Sequence, residues 1–165
     1  MINSDQRIPV RGVESLKKML GESEEDDRLL KSMAVDAEKY LLSFSWCESI
    51  EDRYFGAGVG GIVAIFFFVI RPSEPNVDKW LWVITGDLPP AYLVVDGIRT
   101  PSEALKAYLW QRRRWIEAVR CGQSVSDLMP ISVPATSEWA SQLEQRLNYI
   151  EEHILDRFAE DEASS

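Results

Sequence analysis

One of the most apolar runs in the chain, Ile62 to Ile70 ("IVAIFFFVI"), has no polar position to mark an exposed face. Its β-branched and aromatic make-up predicts a strand buried on both sides. A membrane-spanning helix needs about 20 predominantly apolar residues, and Arg53 and Arg71 bracket a segment too short for that. "RPSEPNVD" then breaks the run with two prolines and an asparagine. Lys79–Thr85 ("KWLWVIT") and Ala91–Val95 ("AYLVV") predict two further strands. Gly86 to Pro90 ("GDLPP") joins them in too few residues for a helical crossover, so they should be antiparallel neighbours. Asp96-Gly97 marks the exit turn. The pattern predicts a three-stranded antiparallel meander.

On either side the period changes to that of a helix. Ser23 and Asp26 suit the start of a helix in which Leu30, Met33, Ala37, Tyr40, Leu41 and Phe44 form one apolar stripe. Thr100, Pro101 and Glu103 make a capping box with proline at the first helical position, and Gly122 suits the end of that helix. Ser126 to Pro134 reads as an irregular connector. From Thr136, a last helix carries Trp139, Leu143, Leu147, Ile150, Ile154 and Phe158 at threes and fours, to pack on the sheet or on a partner helix. A short helix near Val13–Leu20 comes first. The expected architecture is α+β, four helices around the meander in the order α-α-β-β-β-α-α, as one domain over 1–165 with a disordered acidic tail from 159 to 165.

The glycines ahead of the long apolar run invite a different reading. Gly56, Gly58 and Gly61 fit G-x-G-x-x-G, and Asp78 lies near the distance expected of a ribose-binding acid. That motif needs a strand before it and a helix after it, because the pyrophosphate rests on the helix N-terminus. Here "CESIEDRY" is polar with helical spacing and a strand follows. The glycines are therefore expected to turn the backbone between a helix and a strand.

Charge changes the picture more than composition does. The 165 residues are 45% hydrophobic and 27% charged, as in ordinary globular domains. The net charge of −9 is concentrated: Glu22–Asp27 holds five acids and no base, and residues 151–165 hold six acids and one arginine. The remainder is close to neutral. Such a surface repels nucleic acid and anionic lipid and steers a basic partner. Cys47 and Cys121, the only cysteines, have no metal-ligand spacing, and no signal-peptide pattern opens the chain, so a cytoplasmic location is expected.

Candidate chemistry is sparse. His153, the only histidine, would need Cys47 or Cys121 brought to it by folding, and Glu152, His153 and Asp156 make a poor metal site. Glu48 and Asp52, spaced i, i+4, read as an exposed helical turn. Arg112, Arg113 and Arg114 point about 100° apart on a helix, so they form no single clamp, and nucleic acid is not an expected partner. No catalytic residue, metal or cofactor is expected. The aromatic surplus is the better lead, because tryptophan with arginine is typical of interface hot spots. Trp110 with Arg113 and Arg114, together with Trp80 and Trp82 on one face of their strand, are the candidate contact residues.

"WLWVITGDLPPAYLV" followed by "TPSEALKAY" resembles a segment of small bacterial proteins described only as domains of unknown function. The resemblance covers Trp80 to about Trp115 and rests mainly on Trp82, Gly86, Asp87, Leu88 and Pro89. It implies an α+β fold and a bacterial origin, and it transfers no catalytic residue. Gly86, Asp87, Leu88, Pro89 and Pro90 are a candidate functional turn, or a plain rigid one. The expected function is binding to another protein, in concrete form an acidic immunity- or antitoxin-like protein covering a basic toxin, or self-association through the last helix. The alternative is a small-ligand or enzymatic module with a pocket near Gly56–Gly61 and the GDLPP turn, drawing on Glu48, Asp52 and Asp87.

Overall fold

The computed structural model describes residues 8–164. Five strands, β1 (Glu14–Ser15), β2 (Cys47–Val59), β3 (Val63–Pro72), β4 (Trp80–Gly86) and β5 (Leu88–Val94), form one antiparallel sheet in sequence order. Helix α1 (Glu24–Leu42) covers one face, and α2 (Pro101–Arg120), α3 (Ser137–His153) and α4 (Leu155–Ala163) cover the other. The fold is α+β in three layers.

The unbroken apolar run is explained by this sandwich. Alternate side chains of β3 enter two separate cores. Val63, Ile65, Phe67 and Val69 meet α2, α3 and α4, whereas Ala64, Phe66, Phe68 and Ile70 meet Leu30, Met33, Ala37 and Leu41 of α1. Central strand β4 divides likewise, with Trp82 and Ile84 on one side and Leu81 and Val83 on the other. β4 and β5 pair antiparallel, as expected. The helix starts also follow the sequence. Ser23 Oγ accepts from the Asp26 N–H at 3.1 Å, Thr100 Oγ1 from the Glu103 N–H at 3.2 Å, and Thr136 Oγ1 from the Trp139 N–H at 3.4 Å. Among the described residues no helix is long and apolar enough to cross a membrane.

The sheet has five strands, not three. "CESIEDRY" is the first half of β2, not a helix. Its register with β3 slips at three places, between Cys47 and Ser49, Ile50 and Asp52, and Phe55 and Ala57. Each slip flips the inside–outside order, so the period-2 signal vanishes from the sequence. Val13–Leu20 is likewise not a short α-helix; it holds β1 and a single 3-10 turn at Leu16–Lys18. Gly56 and Gly58 lie within β2, and Gly61 lies in the hairpin to β3, so a strand follows the glycines where a dinucleotide motif needs a helix.

The GDLPP turn is shorter than it reads. Asp87 alone separates β4 from β5, and Leu88, Pro89 and Pro90 belong to β5, an edge strand where proline is tolerated. Gly86 is obligatory there: its φ is +151°, and a Cβ would lie 2.1 Å from the Ile62 carbonyl oxygen. The last helix breaks at Ile154 into α3 and α4. The tail expected to be disordered from 159 is helical to Ala163, and Phe158 and Glu162 dock it on the body. In α3, Ala140 takes the buried position and Trp139 is 40% exposed, while Leu143, Leu147 and Ile150 are buried as expected.

Candidate functional site

The proposed contact residues separate. Trp82 is fully enclosed, and its indole N–H donates to the Ile98 carbonyl at 2.9 Å, so it cannot touch a partner. Trp80 shares its face of β4 and is half-buried, with the Lys79 ammonium 4.6 Å from its ring centre. Arg113 bridges to α3 through Asn148 at 3.1 Å and Glu151 at 2.6 Å. Trp110 is 61% exposed under the Arg114 guanidinium, 4.8 Å away, which leaves these two as the aromatic–cation patch on the outer face of α2.

The alternative triad does not assemble. Glu48 pairs with Arg71 at 3.8 Å, and Asp52 lies opposite Val69, both toward one end of the sheet. Asp87 follows Gly86, which pairs with Val63 at the other end, six residues of β3 from Val69. At 3.3 Å per residue that puts about 20 Å or more between these carboxylates. Asp87 instead pairs with Arg146 at 3.2 Å. This ion pair divides two shallow hollows along α3, one of about 210 Å³ against Pro89, Pro90 and Trp139, the other of about 310 Å³ against Ile62 and Tyr149. Cysteine and histidine are also kept apart. Cys47 is buried in the core under α1, where burial pushes its thiol up, while His153 is on the far side of the sheet. Cys121 follows Arg120 at the end of α2, and the Arg120 guanidinium reaches Glu144 and Ser141 of antiparallel α3, about 14–18 Å along that helix from His153 at 1.5 Å per residue. Among the described residues no three His, Cys, Asp or Glu are placed to hold a metal ion.

The two acidic segments, by contrast, come together. Glu22 and Asp26 at the start of α1 meet Asp161 and Glu162 of α4 around a cleft of about 430 Å³, and Glu14 of β1 closes its rim. The floor is the Phe55–Gly58 stretch of β2, and Phe158 lines one wall. One base, Arg157, also lines it, paired with Glu22 at 3.0 Å although the two are 135 residues apart in the chain. At the lip, Leu20 is 79% exposed.

Several of these carboxylates hold the fold. Asp26 accepts from the Gly60 N–H at 2.7 Å and from the Glu22 N–H at 2.8 Å, tying α1 to the β2–β3 hairpin. Glu162 accepts from the Ser102 N–H at 2.6 Å and its hydroxyl at 2.7 Å, seating α4 on the N-terminus of α2. Glycine lets these helices approach: a Cβ on Gly56 would lie 2.8 Å from Pro101 Cγ, and one on Gly58 would lie 2.7 Å from Leu30 Cδ2. Both charge runs are visible in the sequence, but Glu14 and Leu20 carry no sequence signal, because only the β1–β2 pairing brings them there. No known family, curated protein or solved structure matches the chain.

Proposed function

We propose that the protein acts by binding another protein, and that the cleft between α1, β2 and α4 receives basic side chains of that partner. The observation that carries this reading is the meeting of two acidic segments from opposite ends of the chain around one cleft with an exposed leucine at its lip. Like charges gathered on one surface raise the local field, accelerate encounter with a cation and repel nucleic acid. An apolar lip beside acids suits lysine or arginine, whose aliphatic stems lie on apolar surface while the charged head meets carboxylate. The roles of Asp26 and Glu162 as backbone acceptors favour a binding surface over acid–base catalysis. In concrete form the chain is an acidic immunity- or antitoxin-like protein that covers a basic toxin in the cytoplasm, with Trp110 and Arg114 as a second contact.

The test is the binding of a fluorescein-labelled oligoarginine peptide, followed by anisotropy at low and high salt. Glu14→Lys and Asp161→Lys change exposed positions on the cleft, and Glu117→Lys on α2 is the control. Each cleft reversal should weaken binding by about fivefold at low salt, as expected for an exposed charge, and Leu20→Ser, which removes the apolar lip without adding charge, should weaken it as well. Equal loss from the control, or none from the cleft variants, refutes the assignment.

A second reading rests on the hollows beside Asp87 and Arg146. They would suit a small ligand next to the GDLPP turn, without Glu48 or Asp52.

A further inference from the structure

Arg112 is a charge that the fold buries almost completely. It is 1% exposed, its Nε has no partner, and among the described residues no carboxylate pairs with it. A guanidinium in that position costs more than a methionine or leucine of similar reach. It is placed against the edge of the sheet. Its terminal nitrogen donates to the Pro90 carbonyl at 2.9 Å, and its guanidinium carbon lies 4.9 Å from the ring centre of Tyr108. One turn earlier on α2, the Tyr108 hydroxyl donates to the Pro89 carbonyl at 2.6 Å.

Those two carbonyls lie where the β4–β5 ladder slips. Ile84 pairs with Ala91 and Gly86 with Leu88, which leaves Pro89 and Pro90 opposite Thr85 alone. Neither proline has an N–H. Among the described residues β5 ends the sheet, and "LPPAYLV" contains no charged residue to discourage another strand. The opposite edge is blunted differently, by the two-residue β1 and by exposed Glu48, Glu51 and Arg53 on the irregular β2.

We propose that Tyr108 and Arg112 form a latch that fastens the proline stretch of β5 to α2, and that the buried guanidinium is retained because it keeps this uncharged edge from pairing with a second copy of the chain. The latch draws the Leu88–Pro90 backbone onto the helix and curls the edge away from the plane in which another strand would join. Released, Ala91–Val94 becomes a straight apolar edge, and antiparallel pairing with the same segment of another molecule is its simplest outlet.

The experiment compares wild type with Arg112→Met, which keeps the volume and loses the donors, and with Tyr108→Phe, which loses one hydroxyl. Ile116→Val, a buried α2 change that removes neither of the latch's hydrogen-bond donors, is the control for general loss of stability. Amide exchange is measured across β5, and molar mass is measured by light scattering over a concentration series. Faster exchange confined to Ala91–Val94 at concentrations where the variants are monomeric, together with a rise in mass above wild type at higher concentration for Arg112→Met and a smaller one for Tyr108→Phe, supports the latch. Unchanged mass and exchange in Tyr108→Phe and Arg112→Met overturns it, as does equal association of Ile116→Val. Should Arg112→Met not fold, Tyr108→Phe alone decides.

Discussion

Replacing Gly56 by alanine tests whether the glycines of β2 serve packing or a ligand. A Cβ at this position would lie 2.8 Å from Pro101 Cγ, 3.0 Å from the Ile65 carbonyl oxygen and 3.2 Å from Pro101 Cβ. Neither neighbour yields easily. The carbonyl belongs to central strand β3, and Pro101 is the buried first residue of α2, fixed by the Thr100 cap. Overpacking of this kind costs about 1–3 kcal/mol. Removing a glycine from a strand returns about 0.5–1 kcal/mol, because alanine has less backbone freedom to lose. From the middle of each range the net loss expected is about 1 kcal/mol, and at about 2–4 °C per kcal/mol for a chain of this size the midpoint should fall by about 2–4 °C. Urea and thermal unfolding followed by circular dichroism measure it. Gly58→Ala should cost less, since the atom it meets at 2.7 Å is the tip of Leu30. A Gly56→Ala protein as stable as wild type, or more stable, would refute the packing argument and restore an open glycine surface as a ligand site.

Two other consequences are measurable. Burial pushes the Tyr108 phenol up to about 12, against the pull of Arg112. An unfolded tyrosine ionises near 10, so the stabilisation is whole below that pH and is lost as pH rises toward 12. The gap between the folded and unfolded phenol is worth roughly 3 kcal/mol, and Tyr108→Phe should flatten this part of a stability–pH profile measured by urea titration; an unchanged slope would refute the assignment. Glu162→Gln weakens the seat of α4 on the α2 N-terminus, where a carboxylate accepts two hydrogen bonds and faces the helix dipole. The expected loss is about 1.5–3 kcal/mol in urea unfolding, with faster amide exchange in α4 than in α3; uniform exchange would show that α4 is held by Phe158 instead.

The parts of the fold that were readable in the chain are those whose signals are local. Nine apolar residues at Ile62–Ile70 report burial on both faces because each side chain meets a core whichever way it points. Ser23, Thr100 and Thr136 announce helix starts because a cap bonds within three residues of itself. The charge runs at 22–27 and 151–165 were likewise visible as patterns. Strand β2 was not, because its three register slips against β3 erase alternation, and slips exist only relative to a partner strand. Nor did periodicity separate Trp139 from Ala140, since one step on a helix exchanges an inner face for a rim according to what packs there. The enclosure of Trp82, the unpaired charge of Arg112 behind Pro90, and the cleft where α1 meets α4 were decided by tertiary packing alone. Each depends on side chains brought into contact by the sheet over tens of residues or more, and a linear pattern carries propensities but no record of which distant surfaces will share a boundary.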